Sequence, residues 1–153
     1  MANKLRFSFH DRELPYLPIE LTYQNRSLKL EALIDSGSTV NVLPYNVGEA
    51  LGVTWETQNS VLQLAGNLAS IESRALLLNA TIQGLPTVRL AFAWAQTSDV
   101  PLILGHTNFF IEFDVCFTVP IVLLKSAFTT VGLKLLLASK RRSKVRGEGR
   151  SKG

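Results

Sequence analysis

The chain has one cysteine, Cys116, and two histidines, His10 and His106. A lone cysteine excludes an internal disulfide, and two histidines without a partner at ligand spacing exclude a structural zinc site and give metal catalysis little support. No glycine-rich loop with a P-loop lysine occurs, so no phosphate cradle is expected. No G-x-S-x-G elbow occurs either, and a Ser-His-Asp site would have only His106 to offer as its base. The chain does not open with a basic stretch followed by an apolar run, as a secretory signal does, so a reducing, cytoplasmic setting is the expectation.

Net charge is also scarce in the body of the chain. The last fifteen residues, SKRRSKVRGEGRSKG, carry seven Lys/Arg against one Glu, leaving nine basic and eleven acidic side chains on residues 1–138. The formal charge of +4 therefore belongs to a basic end, which reads as a solvated tail; nucleic acid and membrane are not expected partners. The apolar stretch 119–138 is interrupted by Lys125 and Lys134, and each charge inside a membrane span costs about 2.5–3.5 kcal/mol near its centre.

What the chain does have is apolar residues in short, punctuated runs. At 153 residues and 46% hydrophobic it is long enough for one domain with a real core. Residues 16–34 alternate apolar and polar on both sides of Gln24-Asn25-Arg26-Ser27, with Ile19, Leu21 and Tyr23 facing one way and Leu28, Leu30, Ala32 and Ile34 joining them after the turn. Val40, Val42 and Leu43 make a further strand ended by Pro44, and 45–51 read as a short helix before Gly52. Residues 60–64 and 71–82 form a second probable hairpin around Ala65-Gly66-Asn67, and 88–94 and 100–104 supply more strands. The fold class that follows is all-β, a closed or nearly closed barrel, with one short helix over 107–113 after Gly105.

One residue stands against this pattern. In ALIDSGSTVNVLP, residues 32–44, Asp35 follows an apolar strand, and burying a carboxylate is costly unless its oxygens receive hydrogen bonds. Donors come next in sequence: the N–H groups of Gly37 and Ser38 and the hydroxyls of Ser36, Ser38 and Thr39. Gly37 lets the backbone fold close to the acid without a Cβ clash. An isolated Asp-Ser-Gly is ordinary turn chemistry. Its place between two apolar strands, with Leu102-Ile103-Leu104-Gly105 downstream, makes a stronger pattern.

These two motifs resemble the retropepsin-like aspartic proteases, the single-domain retroviral type. Residues 32–38 match the family's hydrophobic-hydrophobic-Asp-Ser/Thr-Gly-Ala/Ser signature, 102–105 match its later hydrophobic-Leu-Gly element, and Asn41-Val42-Leu43-Pro44 resembles the strand after the catalytic turn. The likeness spans roughly 19–117 and implies a half-size acid-protease barrel, one lobe, over residues 1–118, followed by an atypical segment, 119–153, apolar, then basic, and poorly ordered. It implies an aspartic endopeptidase active as a homodimer, with Asp35 of each chain forming a catalytic pair and no cofactor. Ser36 would then bond across the dimer axis, Gly37 would let the loop approach substrate, and Ser38 would bond the outer carboxylate oxygen. Leu104 and Gly105 would support the turn from beneath, and the hairpin loop 64–71, with Gly66 and Asn67 at its tip, would be the mobile flap. The partners implied are a peptide or protein substrate and a second copy of the chain.

The chain departs from the family in two places. His106 stands where viral members carry an arginine that braces the dimer, so support there would depend on histidine charge. After Phe117 the apolar residues come in clumps with neither strand nor helix period. A shifted reading frame would account for this: with codons chosen for the purpose, residues 117–127 read two bases later encode Tyr-Arg-Ser-Asn-Ser-Thr-Phe-Glu-Val-Arg, which alternates as a terminal strand should. Sequencing the gene around the Phe117 codon tests it. Two functions stay open at this level: the peptidase, and an inactive protease-like barrel serving as a dimerisation or peptide-binding module.

Overall fold

The computed structural model describes residues 4–8, 13–118 and 121–126. In chain order the elements are β1 (Lys4–Ser8), β2 (Tyr16–Tyr23), β3 (Arg26–Ile34), β4 (Asn41–Leu43), α1 (Tyr45–Ala50), β5 (Val61–Gln63) and β6 (Glu72–Thr81). There follow β7 (Val88–Ala95), β8 (Ile103–Leu104), α2 (Phe109–Glu112), β9 (Phe113–Thr118) and β10 (Ile121–Ser126).

The alternation of 16–34 builds the β2–β3 hairpin, registered from Tyr16↔Leu33 to Tyr23↔Arg26, with Gln24 turning the chain at φ +52°. Leu17, Ile19 and Leu21 on β2 and Ala32 and Ile34 on β3 are buried. A one-residue slip would turn that whole set outward, so burial itself holds the register. Leu76, Leu78 and Ala80 on β6 and Leu90, Phe92 and Trp94 on β7 complete the inner layer. The strands run β2-β3-β8-β4-β7-β6, and β6 returns to β2 through Glu20↔Thr81, Leu21↔Ala80 and Thr22↔Asn79. The result is the expected closed barrel, here of six strands, with β5 added on the free end of β6.

One feature of this order positions the site. β8 pairs in parallel with β3 (Leu33↔Ile103, Ile34↔Leu104) and antiparallel with β4 (Val42↔Ile103), so it lies between two strands that are consecutive in sequence. The chain leaving β3 must cross the end of β8 to reach β4, and that crossing is the segment 35–40.

Pro44 ends β4 and caps α1, whose buried Gly48 lies against the Trp94 ring; a Cβ there would sit 2.3 Å from the indole. Tyr45, Trp55 and Trp94 pack with ring centroids 4.9–5.6 Å apart, and Trp94 Nε1–H donates to the Tyr45 carbonyl at 3.1 Å. Loss of solvation, then the charges of Glu49 and Glu56, push the Tyr45 hydroxyl above its ordinary pKa, so it stays neutral well past neutral pH. The helix expected over 107–113 is α2, shorter because residues 106–108 form a turn in which the His106 and Thr107 N–H groups bond to Ser38 O and Thr39 O.

A second sheet, β1-β10-β9, covers one side of the barrel, with Leu5, Phe7, Val115 and the buried Leu124 against the core. Within the clumped run after Phe117, residues 121–126 form a strand registered on β9 (Val122↔Phe117) and on β1 (Val122↔Phe7). Ladders on both sides hold a strand without help from alternation. Val119 and Pro120, and 127–153 with the basic end, which were expected to be poorly ordered, lie outside the described residues. Among the described residues no helix is long and apolar enough to cross a membrane.

Candidate active site

The β3–β8 ladder delivers Asp35. Leu33 N–H donates to Leu102 O at 2.8 Å and Asp35 N–H to Leu104 O at 3.0 Å, so the last rung of the ladder carries the acid's own peptide. The chain then turns, closed by Ser38 N–H to the Asp35 carbonyl at 3.2 Å. Gly37 N–H donates to Asp35 Oδ1 at 2.9 Å, and a Cβ on Gly37 would lie 3.2 Å from that same oxygen. Among the described residues this is the carboxylate's one hydrogen bond, and the residue is half-buried.

The donors are thus arranged differently from the reading of the sequence. Ser38 Oγ–H donates to Val40 O at 2.8 Å, not to the carboxylate, because the turn points that side chain onward along the chain. Ser38 N–H serves the backbone carbonyl. The hydroxyl-bearing Ser36 and Thr39 are exposed.

What fixes the turn comes from the other motif. Three consecutive N–H groups after β8 hold it and the strand it leads into: Gly105 to Asn41 Oδ1 on β4 at 2.7 Å, His106 to Ser38 O at 2.8 Å and Thr107 to Thr39 O at 2.8 Å. The Thr107 hydroxyl donates to the same Thr39 carbonyl. Gly105 is needed for close approach: a Cβ there would fall 2.3 Å from Val40 O and 2.9 Å from Ser38 O. Leu104 is fully buried beneath. Leu104 and Gly105 lie against the turn, and Asp35, Ser36, Gly37 and Ser38 form one continuous loop over them.

Asn41 is fully buried and was not singled out in the sequence. Besides accepting from Gly105 it donates through Nδ2 to Ala91 O at 2.9 Å, while Asn108 Oδ1 accepts from Ala91 N–H. The available signal was a polar residue at an inward position of the apolar run Val40–Leu43. The role of Asn108 had none, since its partner lies on β7.

The alternate face of these strands makes a second apolar patch. Val42, Ala93, Ala95 and Ile103 point away from the barrel core and are covered by Leu64, with Val40, Leu68, Ile71 and Val100 around them. Ile103 neighbours Leu104 on β8, so the patch flanks the Asp35 turn. Leu64, Leu68 and Ile71 belong to the loop between β5 and β6, where Gly66 takes φ +62° with open space around it and Asn67 is exposed. The loop expected as a flap is therefore the cover of this patch. Truncating Leu64→Ala removes most of that buried contact. The amides of Ala69 and Ile71, bonded to Gly66 O and Leu68 O, are expected to exchange with solvent at least about tenfold faster, an opening eased by about 1.4 kcal/mol or more, while amides of β2 and β3 keep their rates. Equal protection throughout would mean that the patch does not hold the loop.

His106 is exposed, and its ring stacks on Phe110 with centroids 5.6 Å apart. Among the described residues no three His, Cys, Asp or Glu side chains gather as a metal site. A surface groove lined by Pro18, Glu20, Lys29, Glu31, Thr81 and Gln83 lies on the β2–β3 hairpin and includes none of the turn.

No family model matches the chain, and no curated protein matches it in sequence. Its fold is similar to that of a retropepsin-like aspartic protease from Rickettsia conorii, with a TM-score of 0.63 and 12% identity, over 82% of this chain and 93% of that one. At that identity the likeness is one of fold: an all-β barrel of the retropepsin-like kind.

Proposed function

We propose that the chain is an aspartic endopeptidase that acts as a homodimer, with Asp35 of each subunit as the catalytic pair. The observation that carries the reading is the turn itself: a half-buried carboxylate, held by one backbone N–H, on a loop clamped by the His106 and Thr107 amides that follow the second motif. The retropepsin-like fold supports it.

Two carboxylates a few Å apart do not both ionise, so the pair shares one proton. A substrate peptide lies extended between the turn and the loop 64–71, its backbone bonded as an added strand. The ionised Asp35 takes a proton from water as the water oxygen attacks the scissile carbonyl carbon, and Asp35 of the partner subunit gives its proton to the carbonyl oxygen. The proton taken from water then passes to the amide nitrogen as the C–N bond breaks, and the diol returns its proton to the other carboxylate. Ser36, exposed beside Asp35, bonds across the two-fold axis in this reading. The steps use two carboxylates and water and call on no cofactor.

The test is cleavage of a peptide library between about pH 4 and 7, with the dimer fraction measured on the same samples. Turnover that follows the dimer, with a bell-shaped pH profile set jointly by the pair, is expected. A protein shown to be dimeric that binds peptides and cleaves none would instead be the peptide-binding module.

A further inference from the structure

We propose that Asn41 is a positioning residue for the Asp35 turn, acting through the Gly105 peptide. The proposal rests on Asp35 being the catalytic acid, and its decisive readout does not require catalysis.

β4 begins at Asn41. Asn41 pairs with Phe92, so β7 continues past β4 at Ala91 and the Ala91 peptide has no strand beside it on that side. Ala91 is exposed, so its backbone groups there take partners other than a strand. Two side-chain amides supply them: Asn41 Nδ2 donates to Ala91 O at 2.9 Å, and Asn108 Oδ1 accepts from Ala91 N–H. The Asn41 and Asn108 side chains lie 3.5 Å apart, nitrogen to oxygen, a long contact.

The other end of the Asn41 amide accepts from Gly105 N–H at 2.7 Å. Its two ends cannot be exchanged, because Gly105 N–H only donates and the Ala91 carbonyl only accepts. Gly105 is in turn the residue over which Val40 and Ser38 are folded, and it begins the row of amides that holds Ser38 and Thr39. A hydrocarbon side chain could fill the buried space at 41 but would leave the buried Gly105 N–H without its acceptor and Ala91 O to solvent. The amide thus links the wall of the barrel to the loop that carries the acid.

Asn41 must both accept and donate, whereas Asn108 only accepts, and this difference makes the proposal testable. In Asn41→Asp, a neutral carboxyl can accept from Gly105 N–H and donate to Ala91 O. The ionised form cannot donate, and it is a buried charge. Asn108→Asp accepts from Ala91 N–H in either form.

The experiment follows the amide resonances of Gly37 and Gly105 from about pH 4.5 to 7.5 in N41D and N108D, each carried on an Asp35→Asn background. The background removes titration of Asp35, and any titration of His106 is common to the reference and cancels. In N41D both resonances are expected to move away from the reference as pH rises; in N108D they stay with it. In the Asp35-containing protein, N41D is expected to keep kcat within about threefold of wild type at pH 5 and to fall more than about tenfold below it by pH 7, with KM little changed. Resonances that track the reference in both variants overturn the proposal, whether or not the protein cleaves peptides. Unfolding of N41D in step with the loss of kcat also overturns it, since Asn41 would then serve stability alone. Asn108→Ala gives an independent reading, because it removes the acceptor at the half-buried end: displaced Gly37 and Gly105 resonances in a folded barrel support the link, and unmoved ones contradict it.

Discussion

Replacing Asp35 with Asn is expected to lower peptide turnover by at least about 10³-fold while leaving the barrel folded. The amide is nearly the same shape, and its oxygen can still accept from Gly37 N–H, the bond of 2.9 Å that orients the wild-type side chain. Asp35 is half-buried at a turn, so stability should change by less than about 1 kcal/mol. What the variant loses is a group that can take a proton from water and return it. Two Asn side chains place no charge at the dimer axis, so the dimer fraction should not fall. Lost activity with an unchanged dimer separates chemistry from assembly. Undiminished turnover would remove Asp35 from the mechanism.

The largest effect expected on stability is at Gly105. In Gly105→Ala the added methyl would meet Val40 O at 2.3 Å, Val40 C at 2.6 Å and Ser38 O at 2.9 Å, all backbone atoms that cannot swing aside as a side chain does. The loop 38–40 must lift or the strand must drop, and either breaks some of the amide row from Gly105 to Thr107. A cost of about 3 kcal/mol or more follows, which in a domain of this size lowers the melting temperature by roughly 10 °C. Activity should be lost along with it, since the displaced loop carries Asp35. Melting within about 3 °C of wild type would show that the contact can relax, and the clamp would lose its claim to be rigid.

Local chemistry made much of this fold legible. The β2–β3 hairpin followed from period-two alternation on both sides of a polar turn, and the end of β4 from Pro44. The helix after Gly105 and the hairpin around Gly66 followed from turn residues between apolar runs. What was not legible depends on pairings distant in sequence. That β8 lies between β3 and β4 cannot be read from any of the three strands, yet it dictates why 35–40 must cross Gly105. The Gly105–Asn41 bond joins residues 64 apart. Of the donors that the sequence offered to Asp35, Gly37 N–H meets the carboxylate and the Ser38 hydroxyl meets Val40 O, because only the course of the turn decides which oxygen a donor reaches.

The central claim is that two Asp35 turns make one site. It is tested most directly by titrating the protein with a peptide, drawn from the best-cleaved library sequence, whose scissile amide is replaced by a non-hydrolysable carbon bearing a hydroxyl. Such a mimic of the tetrahedral intermediate binds where the water and carbonyl oxygen would sit between the two carboxylates. The account predicts saturation at one mimic per two chains, with the dimer drawn together by the ligand. Saturation at one mimic per chain, on a monomer, would contradict it.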